Sequence, residues 1–227
     1  MPNKPPQFTL VMDASNPACF IGLLDRNDSW LAHRSIEGPA LETIFPAVEA
    51  ILTEVKINIE AIDRYLYCEG PGSTLGLRLA AMAIRTWRAL HPEPPPCLAY
   101  NSLRLAANCL LRDEPTLTDA LLVADWKKDA WNAVTLKKGQ IATCEPITAA
   151  DLEAWEGPSY HLPQRKGWQA PPPHATTLRY TPERINEMID APGLLQQVDS
   201  PKPFATAPPN FQKWIPARHR APSSTDA

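Results

Sequence analysis

Two aspartates stand where apolar runs stop: "FTLVMD" ends at Asp13, and "ALLVADW" carries Asp125 at the close of a later run. Carboxylates at strand ends are where phosphoryl-transfer enzymes hold Mg²⁺, provided that glycine-rich turns beside them cradle the phosphates. The turns that follow here, "ASNPAC" and "WKKDAW", contain no glycine. A glycine-rich turn does occur in "CEGPGSTLGLR" (68–78), between an apolar run and a helical pattern, where free backbone N–H groups could meet an anion. Its Gly70, Gly72 and Gly76 are spaced GxGxxxG rather than GxGxxG, and no Gly-Lys-Ser/Thr follows. The dinucleotide fingerprint and the P-loop are both excluded. Gly139, Gly157, Gly167 and Gly193 are scattered through the second half and make no second phosphate turn.

Other chemistries fare worse. His33, His91, His161, His174 and His219 stand singly, without HExxH, and no serine sits in a GxSxG elbow. The five cysteines (Cys19, Cys68, Cys97, Cys109, Cys144) form no CxxC pair, and four lie in apolar runs where packing is the default role. No metal ion or cofactor is expected. Trp126, Trp131, Trp155, Trp168 and Trp214 read as core and lobe-interface anchors rather than as a base-stacking surface. A net charge of −3 gives no basic field for nucleic acid. The odd cysteine number fits a reducing cytoplasm. The opening "MPNKPPQFTL" has no apolar stretch of a signal peptide, and no run approaches the roughly 20 apolar residues that cross a bilayer. A cytoplasmic protein without membrane contact is the expectation.

The glycine-rich turn therefore reads first as a joint. Pro71 and Gly72 shape it, and Ser73 or Thr74 caps the helix that follows. Gly76, Ala80, Ala83 and Trp87 share one face of that helix, where small residues admit a close neighbour, either the chain's own sheet or a helix of another chain.

The elements that position these residues follow from hydrophobic period. Residues 8–12, 19–24 and 29–37 predict three consecutive strands. Leu41, Ile44, Phe45, Val48, Ile51, Leu52 and Val55 then switch to helical spacing, through a Pro46 expected to kink the helix. Strand 64–70, helix 73–90, strand 97–101 and helix 102–112 complete a β-β-β-α-β-α-β-α order. The pattern restarts near residue 113 with strands 120–126, 130–138 and 140–146, helix 148–155, a proline-rich stretch and a short helix near 181–190. Two related lobes are expected, 1–112 and 113–227.

"FTLVMDASNPACFIGLLD", "IFPAVEAIL", "EGPGSTLGLRLA" and "LLVADWKKDAWNAV" occur in an order and spacing that resemble the TsaB (YeaZ) family. The ending "APPNFQKW" (207–214) is loosely similar to that family's C-terminal motif. The resemblance implies an α/β fold of two actin/hsp70/sugar-kinase-like (ASKHA) lobes, each a mixed β-sheet with packed helices. It implies a non-catalytic scaffold in threonylcarbamoylation of the adenosine beside the anticodon, in tRNAs that decode ANN codons. Such a scaffold pairs with the catalytic TsaD subunit, itself of the same fold, recruits the ATPase TsaE, and meets tRNA only through the complex. A homodimer is a further possibility. In the family the partner surface is formed by the first two helices, which correspond to 40–55 and 73–90 here. Leu41, Ile44, Phe45, Val48, Gly76, Arg78, Ala80, Ala83 and Trp87 are the expected partner residues, and Gly70, Pro71, Gly72 and Ser73 the structural turn. Asp13 and Asp125 become relics of a nucleotide site. The sequence departs from the family pattern at "GPA" (38–40), at Glu69 and at Thr74-Leu75, all on or beside that surface. The alternative of another class is a nucleotide-dependent small-molecule kinase of the same fold, against which the sparse glycines of the second lobe weigh.

Overall fold

The computed structural model describes residues 7–163 and 170–205. Gly167, Trp168, Trp214, His219, the first six residues and the "APPNFQKW" ending lie outside the described residues. Strands β1 (Thr9–Asp13), β2 (Ala18–Leu24) and β3 (Trp30–Glu37) form an antiparallel meander. Helix α1 (Ala40–Val55) runs through Pro46 and stops at Lys56, whose left-handed backbone returns its N–H to the Leu52 and Thr53 carbonyls. Strand β4 (Arg64–Gly70) lies parallel to β1, and helix α2 (Thr74–Arg88), strand β5 (Cys97–Asn101) and helix α3 (Ser102–Asp113) follow. β5 continues the sheet parallel to β4.

The second half opens with the antiparallel pair β6 (Ala120–Lys127) and β7 (Ala130–Lys137). The strand expected at 140–146 is instead two short strands. β8 (Gln140–Ile141) and β9 (Glu145–Thr148) pair with opposite ends of β7. Helix α4 (Ala149–Glu153) is shorter than the expected 148–155, started by a Thr148–Asp151 capping box. β10 (Ser159–His161) and β11 (Thr176–Thr177) extend this sheet in parallel. The short helix expected near 181–190 is a 3₁₀ helix over Pro182–Glu187, and β12 (Leu195–Gln197) then returns to the first sheet, antiparallel to β5.

The result is two mixed sheets, ordered β12-β5-β4-β1-β2-β3 and β11-β10-β6-β7-β8, with helices packed on them. This is the α/β two-sheet architecture expected from the sequence. On one face of the first sheet, Ile44, Ala47 and Ile51 of α1 and Ala80, Ala83 and Ile84 of α2 pack with Leu10, Met12, Ile21 and Tyr67. On the other face lies α3. Its Leu105 and Cys109 meet Val11, Leu66 and Tyr100 of the first sheet. Its Leu103, Ala106 and Leu110 meet Leu122, Val134 and Leu136 of the second. One helix is thus buried from both sides, which joins the two sheets through a shared apolar layer.

Candidate functional site

Three strands, β1, β4 and β5, run parallel and end together, and their ends carry Asp13, the Gly70–Ser73 turn and Asn101. In an open α/β sheet this edge is the default ligand site. Here the chain fills it. Asp13 is buried, and its carboxylate accepts three hydrogen bonds: Oδ1 from the Ser15 N–H at 2.9 Å, and Oδ2 from the Tyr100 hydroxyl at 2.8 Å and the Tyr180 hydroxyl at 2.6 Å. Burial, and then the Asp13 charge, push both tyrosines well above the usual phenol range, so each stays a neutral donor.

The glycine-rich turn packs against the same corner. A Cβ on Gly76 would lie 2.3 Å from the Ala14 carbonyl oxygen, and one on Gly72 2.5 Å from the Ser15 Cβ. Only hydrogen fits at those two positions. The Ser73 N–H donates to the Ser15 carbonyl at 2.7 Å, and the Ser102 hydroxyl to the Pro71 carbonyl at 2.8 Å. Ser73, rather than Thr74, is the N-cap of α2 and accepts from the Gly76 N–H. Gly72 and Ser73 therefore fasten the start of α2 to the β1–β2 turn, while the Pro71 carbonyl ties the same Gly70–Ser73 loop to the start of α3.

Asp125 is buried near the end of β6, opposite Trp131 in the ladder, and so lies in the other sheet from Asp13. Beside it the Lys127 ammonium sits 4.2 Å from the Trp126 ring centroid. All five cysteines are free thiols. Burial pushes Cys19, Cys97 and Cys144 up to about 12 and Cys109 to about 11, with Cys68 also raised, so none is a thiolate near neutrality.

A family model described as TsaD, tRNA N6-adenosine threonylcarbamoyltransferase, matches residues 40–116, the stretch from α1 to just past α3. No curated protein gives a match. Among solved structures, YeaZ from Pseudomonas aeruginosa is 18% identical, with a TM-score of 0.60 over 88% of this chain and 99% of that one. A second structure is described as an uncharacterized protein with similarity to peptidase YeaZ, from the same organism. It is 19% identical, with a TM-score of 0.58 over 88% of this chain and 100% of that one. The chain has the YeaZ fold. The resemblance read in the sequence thus holds for the architecture over the 88% of the chain that the two structures cover.

On this YeaZ-like frame the expected partner residues divide. Ile44, Val48, Ala80 and Ala83 are buried in the chain's own core, and Gly76 faces the Ala14 backbone. The small-residue stripe of α2 thus faces the chain's own sheet and the Ala14 backbone, and Ile44, Val48, Gly76, Ala80 and Ala83 are covered within the chain rather than presented outward. Trp87 is half-buried, stacked 6.5 Å from Tyr65 and edge-on to Phe45 at 6.1 Å. Leu41, Phe45 and Arg78 face outward. Two apolar residues join them that sequence reasoning did not select, Leu75 and Met82, seven apart on α2. Leu41 is 62%, Phe45 44%, Leu75 62% and Met82 54% exposed. Tyr100 and Tyr180, the partners of Asp13, were also missed. No helix among the described residues is long and apolar enough to cross a membrane.

Proposed function

We propose that this chain is a TsaB-type, non-catalytic subunit of a tRNA-modifying complex. It serves threonylcarbamoylation of the adenosine next to the anticodon, in tRNAs that decode ANN codons. Its role is to pair with a TsaD-like catalytic subunit and to recruit a TsaE-like ATPase, reaching tRNA only through the assembly, in the cytoplasm. The observation that carries the reading is the outward face of α1 and α2, where Leu41, Phe45, Leu75 and Met82 leave four large apolar side chains in water. Large apolar side chains left exposed on two helices in contact with each other are what a partner surface would use. The non-catalytic half of the reading is supported by the filled corner at Asp13, whose carboxylate already serves Ser15, Tyr100 and Tyr180. A kinase of the same fold would have to withdraw two tyrosines from that carboxylate before a metal ion could reach it.

The test is binding to a TsaD-like protein of the same source by calorimetry. Phe45→Arg and Met82→Arg place a charge in the contact while leaving the core untouched. Each should weaken the complex about a hundredfold, or about 2.7 kcal/mol, with an unchanged circular dichroism spectrum. Wild-type affinity in both folded variants would reject this surface. ATP turnover by the isolated chain that is lost in Asp13→Ala would reject the non-catalytic reading.

A further inference from the structure

The α1–α2 face is not flat. Beyond Phe45 it opens into a groove of about 500 Å³ between α1, Trp87 of α2 and the segment 57–60. That volume lies within the range of specific ligand pockets, roughly 300–1,000 Å³. Phe45 and Trp87 form an aromatic corner, held from behind by the Tyr65 ring stacked on Trp87. Leu52 and Ile59 supply apolar wall. Glu49 and Glu60, both exposed, put two carboxylates on the lining.

The charge is one-sided. The lining contains no lysine or arginine, and helix α1 holds Glu42, Glu49 and Glu54 without a single cation. Glu54 is neutralised by Arg34, but among the described residues neither Glu49 nor Glu60 is in an ion pair. The nearest cations in sequence, Lys56 beside Ile57 and Arg88 beside Trp87, form no ion pair with either glutamate, and Arg88 donates to the Pro95 and Asp199 carbonyls. An aromatic corner with two carboxylates outside any ion pair among the described residues suits a cation that is planar, forked and carried on an apolar stem. Guanidinium stacks on aromatic faces and donates in pairs to carboxylates, which an ammonium does less well. The stem would lie along Leu52 and Ile59 while the head meets the acids.

We infer that this groove receives an arginine side chain from the partner subunit. The inference rests on the partner reading above, because the groove continues the α1–α2 face at Phe45. It adds a charge-reading socket to an otherwise apolar contact, which fixes the register of the two subunits.

Two measurements test it separately. The first uses the isolated chain, following the Trp87 indole N–H by NMR (assigned with Trp87→Phe) while acetyl-Leu-Arg-amide is added. The expected result is a saturable shift, at least about tenfold weaker for the neutral acetyl-Leu-citrulline-amide and for the arginine peptide on Glu49→Gln/Glu60→Gln. Equal response to arginine and citrulline overturns the socket, whatever the partner is. The second uses the complex with the TsaD-like subunit. There the double glutamine variant should bind about tenfold more weakly and lose much of the salt dependence. Unchanged affinity and salt dependence in a complex that does form overturns the partner's arginine as the occupant. No complex with the wild-type chain, beside a Trp87 that still discriminates arginine, overturns the partner reading and leaves the groove an arginine site of other origin.

Discussion

Gly76→Ala separates a helix that merely contains a glycine from one seated on a backbone. In an ordinary helix interior the change stabilises, because alanine is favoured over glycine by about 1 kcal/mol. Here the new Cβ would fall 2.3 Å from the Ala14 carbonyl oxygen and 3.2 Å from the Ala14 Cβ. Neither atom can rotate away, since one is backbone and the other a methyl fixed to it. The first turn of α2 must lift by about 1 Å to restore a normal contact. That movement pulls on the 2.7 Å bond from the Ser73 N–H to the Ser15 carbonyl. Overpacking a fitted contact costs about 1–3 kcal/mol, and a clash with rigid backbone belongs at the upper end. Subtracting the helical gain leaves a net loss of about 1–2 kcal/mol. For a chain of this size that lowers Tm by about 2–8 °C. Urea and thermal unfolding followed by circular dichroism read the sign directly. A variant as stable as the parent, or stabilised by about 1 kcal/mol, would refute the seating of α2 on the β1–β2 turn.

Other expectations follow from the same corner and its neighbours. Tyr180→Phe removes a hydrogen bond to a buried carboxylate and should cost about 1.5–3 kcal/mol in urea unfolding. The loss should shrink in an Asp13→Asn background, and full additivity would contradict the pairing. Glu69 is raised by burial, with Lys202 and Arg104 acting to lower it. A carboxyl raised in the folded state favours folding while protonated, and that contribution is lost as pH rises through its folded value. Glu69→Gln should therefore raise Tm at pH 7 and converge with the parent below about pH 4, and a lower Tm at pH 7 would disprove it. Ala83→Arg places a charge in a position only 4% exposed, so it should fail to fold rather than fold without its partner.

The first half of the fold was legible because its elements are long enough to show their period. Strands of five to eight residues and helices of twelve to sixteen declared themselves at spacings of two and 3.6. In the second half only the eight-residue β6 and β7 showed in the same way, because β10, β11 and β12 are two or three residues long and sit among prolines, where no alternation can register. The candidate site shows the same divide. The α1 stripe of Leu41, Ile44, Phe45, Val48, Ile51, Leu52 and Val55 is wider than one buried face requires, and its excess width was the signal for an outward apolar edge. Period alone could not assign Ile44 to the core and Phe45 to water. The small residues of α2 fit a neighbour of either origin, and only the Ala14 carbonyl decided it. The bond from Tyr180 to Asp13 spans 167 positions and leaves no local trace in the sequence.

The central claim is that this chain supports tRNA threonylcarbamoylation through its α1–α2 face. It is tested most directly by nucleoside mass spectrometry of tRNA from cells of its source in which it is depleted and then restored as wild type or Phe45→Arg. The account predicts that threonylcarbamoyladenosine falls on depletion, returns with the wild-type chain, and stays low with a folded, equally abundant Phe45→Arg. Unchanged modification after depletion, in cells without a second protein of this kind, would contradict it.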